Sequence, residues 1–163
     1  MNDKQAKTPL ASVFRRRLLK LAAFLEKLPP ERFEFGTWVG ASWKGAQDLS
    51  CGTTACALAW AATIPSFRAA GLYLRQTDHG PEVRLKGARP RLREHGAEDT
   101  AARILFGLDT FGYQRLFIPR LAVDGLAIGH YYGKPVLGQL GGNATARAVA
   151  ENIRAYVKER SRG

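Results

Sequence analysis

From Cys51 to Ile64 the chain carries no charged residue, and the run Cys-Gly-Thr-Thr-Ala-Cys-Ala-Leu-Ala-Trp-Ala-Ala-Thr-Ile is stopped by Pro65. A helix that is apolar on every side can only sit inside a core. The segment about 51–64 is therefore predicted to be a central buried helix, around which the other elements must pack. Both cysteines of the protein lie in it, Cys51 at its start and Cys56 within. A thiol at a helix start meets free backbone N–H groups and the positive end of the helix dipole, which favour a thiolate. The same residues suit tight packing, because free cysteine is among the most buried residue types.

The rest of the chain supplies packing partners. Leu10, Val13, Phe14, Leu18, Leu21, Leu25 and Leu28 recur at helical spacings after Pro9 and end at Pro29-Pro30. This predicts an amphipathic first helix with Arg15, Arg16, Lys20 and Lys27 mostly on its outer face. Phe33, Phe35, Trp38 and Trp43 lie in a glycine-containing stretch without a period, expected as a loop held down by its rings. A short turn of helix is predicted over 67–70. The runs 72–76 and 82–86 flank Thr77-Asp78-His79-Gly80-Pro81, which predicts a β-hairpin over about 72–86 with a five-residue turn. Helices are expected over 98–108 and 110–119. Glycines punctuate a β/loop segment over about 121–142, and Thr145 caps a last helix carrying Val149, Ile153, Tyr156 and Val157. The expected fold is α+β: a mainly helical single domain over 9–160, preceded by a disordered tail over 1–8.

Charge narrows the class of partner. Lys and Arg number 25 against 14 Asp and Glu, a net charge of +11 with a pI near 10.2. Such a surface attracts polyanions, so nucleic acid or an acidic protein is the expected partner. Arg15, Arg16 and Lys20 on the first helix and Arg84, Lys86, Arg89, Arg91 and Arg93, from the second strand of the hairpin onward, are the candidate binding residues. No helix-turn-helix, zinc-finger or RNA-recognition signature accompanies them, and a solvated surface of a basic protein has the same composition. No run of apolar residues is long enough to cross a membrane, and no cleavable leader is recognisable, so a cytoplasmic protein with reduced thiols is expected. His79 falls in the hairpin turn and His95 in a charged connector; no Cys/His spacing suits zinc and no phosphate-binding loop is present, so no metal or cofactor is expected.

A thiol hydrolase of the papain type is the alternative. It requires a cysteine at the start of a buried helix, a histidine base, a polar residue orienting that histidine and an oxyanion donor. Cys51 would be the nucleophile, His130 the base, Asn143 or Asp124 the orienting group and Gln47 the oxyanion donor. The run 47–58 and Gly129-His130-Tyr131-Tyr132 resemble the cysteine and histidine segments of bacteriocin-leader peptidases. Tyr132-Gly133-Lys134-Pro135, however, breaks the strand that should follow the histidine, and Gln47 stands unusually close to the cysteine.

A wider resemblance is carried by Leu25-Glu26-Lys27-Leu28-Pro29, the aromatic residues from Phe33 to Trp38, Cys51-Gly52-Thr53-Thr54-Ala55-Cys56, Ala102-Arg103-Ile104-Leu105-Phe106-Gly107-Leu108, Leu116-Phe117 and the helix beginning near Thr145. In that order they resemble an uncharacterised family of small proteins from bacteria and their phages, with a Cys-Gly-Thr-x-Ala-Cys core. The resemblance implies no activity. It does imply that 121–140, which contains His130, is an addition to the compact pattern, and a catalytic base would not be optional. A small basic binding or accessory protein is thus the favoured expectation, with the Cys51 hydrolase second.

Overall fold

The computed structural model describes residues 9–35, 56–78, 80–89, 96–119 and 136–161. It shows a mainly helical α+β domain. Its elements are α1 (Ser12–Leu25), a single 3-10 turn at Pro30–Arg32, α2 (Ala57–Ala61), α3 (Pro65–Ala69), β1 (Leu72–Thr77), β2 (Gly80–Leu85), α4 (Ala97–Phe106), α5 (Thr110–Phe117) and α6 (Ala146–Arg160). Buried residues from α1 to α6 and from the hairpin join one hydrophobic core. Among the described residues no helix is long and apolar enough to cross a membrane.

The described part of the uncharged central segment is buried as its composition requires: Ala57, Leu58, Ala59 and Ala61 are fully inaccessible and Trp60 nearly so. Residues 51–55 lie outside the described residues, and within 56–64 helix is confined to Ala57–Ala61. Cys56 is extended (φ −76°, ψ 173°) and forms the N-cap of α2, while Ile64 is extended (ψ 120°) ahead of Pro65. The proline disfavours a helical residue before it and itself opens α3, which matches the short helix anticipated over 67–70 and begins two residues earlier.

α1 buries Leu18, Leu21, Ala22 and Leu25. Its buried stripe is rotated from the one read off the sequence, since Val13 is 37% exposed. α6 is capped as predicted: the Thr145 hydroxyl accepts from the Ala148 N–H at 3.1 Å, and Val149, Ile153, Tyr156 and Val157 face inward. The two helices pack along each other. At one end the Leu10 N–H donates to the Arg160 carbonyl, and Arg154 reaches Glu26 beyond the other end of α1, so they run antiparallel.

α4 packs against both α1 and β2. It ends at Gly107 in the left-handed region (φ 64°). A side chain there would collide with the ring of Phe14, so the glycine both stops α4 and admits α1. Arg17 donates to the Leu105 carbonyl at 2.7 Å, placing a cation at the negative end of α4. Asp109 then caps α5 by accepting from the Gly112 N–H at 2.7 Å.

The hairpin is tighter than expected. Antiparallel pairing continues to Thr77 opposite Gly80, with Pro81 opposite Gln76, so pairing reaches into the turn anticipated over 77–81. A two-stranded ribbon has outer edges on both strands, so Pro81 can be accommodated where its missing N–H is not required. The tail over 1–8, Trp38, Trp43 and most of the glycine-rich segment lie outside the described residues.

Candidate functional site

The thiol that the structure places at a helix start is Cys56, and it is inert. Cys56 is 3% exposed. Burial raises its pKa from the ordinary 9.0 to about 11, outweighing the backbone N–H groups of Ala59 and Leu58, which pull the other way. At neutral pH it is an uncharged packing group. Cys51, Gln47, His130 and Asp124 lie outside the described residues, as do His79 and His95. Asn143 is described and is exposed in the turn before α6. Among the described residues no cluster of His, Cys, Asp or Glu could hold a metal ion.

The charged residues sort into two kinds of environment. Along the α5–α6 seam, arginine is built into the structure. Arg115 donates to both carboxylate oxygens of Glu159 at 2.7 and 3.0 Å and to Asn152 Oδ1 at 3.3 Å, while the Asn152 amide donates back to the Arg115 carbonyl. Its side chain is only 14% exposed. Arg115 and Arg160 both lie against the ring of Tyr156, at 5.5 and 5.8 Å from its centroid, and Arg160 is 3.7 Å from Asp109. Gly138 (φ +80°) closes this seam, because a Cβ there would press on the Arg115 guanidinium. These cations tie α6 to α5 and have no freedom to receive a ligand.

The opposite side of α6 differs. Arg147, Arg154 and Lys158 recur at seven- and four-residue steps, so they form one stripe. Arg154 reaches Glu26, which identifies this stripe as the side of α6 bordering α1. Across the border, Arg15, Arg16, Lys20 and Lys27 are exposed, with Arg16 and Lys20 one turn apart. Among the described residues these four make no ion pair, whereas Arg147 is matched by Glu151 and Arg154 by Glu26. The Arg154 fork, with Arg147 and Lys27 nearby, holds the Glu26 carboxyl below the usual carboxylate range. The outcome is a two-helix face with a large surplus of positive charge.

Of the anticipated binding residues, Arg15, Arg16 and Lys20 belong to this face. Arg84 belongs to β2, with Lys86 and Arg89 just after it, on the hairpin that packs against α4 rather than on α1 or α6. Arg84 is paired there with Glu82 at 2.8 Å, and Glu98 of α4 is close by, its carboxyl raised above the usual range by burial and, less, by Glu82. Arg91 and Arg93 lie outside the described residues. The contribution of α6 was overlooked in the sequence, although the spacing of Arg147, Arg154 and Lys158 opposite Val149, Ile153 and Tyr156 is visible there. A small cavity of ≈ 80 Å³ between the hairpin and α4, lined by Tyr73, Arg84, Leu85 and Thr100, has room for water rather than a substrate.

No protein family, curated protein or solved structure matches this chain. The function has to be argued from the face itself.

Proposed function

We propose that this is a small nucleic-acid-binding protein that holds the phosphate backbone, without regard to sequence, on the face shared by α1 and α6. The observation that carries this reading is the bare row Arg15, Arg16, Lys20 and Lys27, exposed and without acidic partners among the described residues, beside the Arg147, Arg154 and Lys158 stripe. From Arg16 to Lys27 the row spans about 16 Å at the helical rise, long enough to follow several successive phosphates. Among the described residues, the exposed side chains of the face include no aromatic ring on which a base could stack. A row of long cations along two helices suits contacts to phosphates, which position the ligand without specifying sequence. An extended polyanion of even charge suits this linear array better than a folded acidic protein does.

The test is binding of a labelled DNA duplex by fluorescence anisotropy over a series of salt concentrations. Affinity should fall steeply with salt and be similar for unrelated sequences. The triple variant Arg16→Glu, Lys20→Glu, Lys27→Glu should lose binding while retaining the fold, as seen by circular dichroism. Arg84→Glu should bind nearly as wild type. No duplex binding at low salt, or equal loss from the hairpin variant, defeats the proposal; tighter binding to an acidic polypeptide than to DNA transfers the face to a protein partner.

A further inference from the structure

Among the cations of this face one is occupied in an unusual way. Arg154 donates from Nε and Nη2 to the two carboxylate oxygens of Glu26, at 2.7 and 2.9 Å. The pair is open to water, with side-chain exposures of 43% for Arg154 and 37% for Glu26. So exposed a pair adds little to stability. Nor is it needed to hold α1 on α6, since Leu18, Leu21, Leu25, Val149 and Ile153 are already buried in the shared core. Glu26 also lies within the field of Arg147 and Lys27.

The planar guanidinium fork fits two oxygens of a carboxylate or of a phosphate equally well. We infer that Arg154 is the phosphate-binding fork of the face and that Glu26 occupies it in the free protein, so that a backbone phosphate exchanges with the Glu26 carboxylate when nucleic acid binds. This rests on the nucleic-acid reading above. The exchange is open to Arg154 and closed to Arg115, which is 14% exposed, bound through both Nη atoms to Glu159 and tied additionally through Nε to Asn152. On release, the Glu26 carboxylate stays at the water boundary beside Lys27 and Arg147, so its displacement strands no buried charge. Glu26 thereby sets affinity from within the site.

The experiment compares duplex DNA affinity for the full chain, Glu26→Gln, Glu151→Gln, Arg154→Gln and the double variant Glu26→Gln with Arg154→Gln, each checked by thermal melting. Glu151→Gln is the control, because it removes one negative charge from the same stripe, where Glu151 touches Arg147 through a single contact at 3.4 Å. Glu26→Gln should tighten binding several-fold, clearly more than Glu151→Gln, because the same Arg154–phosphate contact then forms without displacing a carboxylate. In the Arg154→Gln background the Glu26→Gln gain should fall to the size of the Glu151→Gln gain. Equal gains from Glu26→Gln and Glu151→Gln in the wild-type background, or a Glu26→Gln gain undiminished by Arg154→Gln, would overturn the exchange and reduce Glu26 to ordinary charge repulsion. Duplex binding by the wild type with no gain in Glu26→Gln removes this inference alone. No binding by any variant removes the function with it.

Discussion

The two sides of α6 use the same residue type for opposite ends. Toward α5, Arg115 and Arg160 are largely enclosed, matched by Glu159 and Asp109, and packed on Tyr156. Toward α1, Arg147, Arg154 and Lys158 stand at the water boundary beside cations of α1 that have no partner among the described residues. Desolvation explains the difference. A guanidinium removed from water must be matched, and once matched it is a structural tie. One left in water keeps its charge available for a ligand and contributes little to folding. Arginine content alone therefore says nothing of role; enclosure decides it.

The largest effect that would break this contrast is on the enclosed side. Arg115→Ala should lower unfolding stability by roughly 3 kcal/mol, because it leaves Glu159 and Asn152 without their common donor, and should leave DNA affinity per folded molecule unchanged. Denaturant titration and anisotropy on the same sample check both halves.

Cys56 supplies a second enclosed group whose burial can be measured. Its folded-state pKa, about 11, lies above the ordinary 9.0, so the folded protein keeps a proton that the unfolded chain gives up. Its contribution is intact below about pH 9 and declines as pH rises toward about 11, by roughly 2 kcal/mol in total. Denaturant midpoints across that range, compared with Cys56→Ala, isolate it. Iodoacetamide at neutral pH should leave Cys56 unmodified in the native protein. Fast alkylation at this residue would contradict its burial. The same labelling, followed at Cys51, measures whether that thiol is activated.

Gly138→Ala should cost about 1–2 kcal/mol, through its left-handed backbone and through contact with Arg115. If the loss is absent in the Arg115→Ala background, the two act together. Smallest in stability are the exposed cations. Arg16→Gln and Lys20→Gln should each change it by less than about 0.5 kcal/mol while weakening DNA binding and reducing the salt slope by about 0.9 apiece. A stability loss comparable to that of Arg115→Ala would mean that these residues, too, are structural.

Much of this architecture was legible in the chain. Thr145 as a cap, the alternation of the hairpin and the inward stripe of the last helix all depend on interactions within a few residues, which spacing reveals. The central segment was legible as buried but not in its shape. Pro65 is a stop for the segment before it and a start for α3, and Cys56 has an extended backbone that no composition rule anticipates. That matters for the candidate chemistry, because the thiol capping α2 is Cys56, not Cys51. The face of α1 was legible as basic, and its partner stripe on α6 was not identified because nothing local connects residues 15–27 to residues 147–158.

The sequence by itself determined that the protein is basic, that its uncharged segment is buried, and where most helices begin and end. These follow from composition and from contacts between near neighbours. Tertiary structure alone decided which arginines are enclosed and which are free, since that depends on which helix packs against which side of α6. It also decided that Glu26 meets Arg154, two residues far apart in the chain and joined only by the antiparallel packing of α1 on α6.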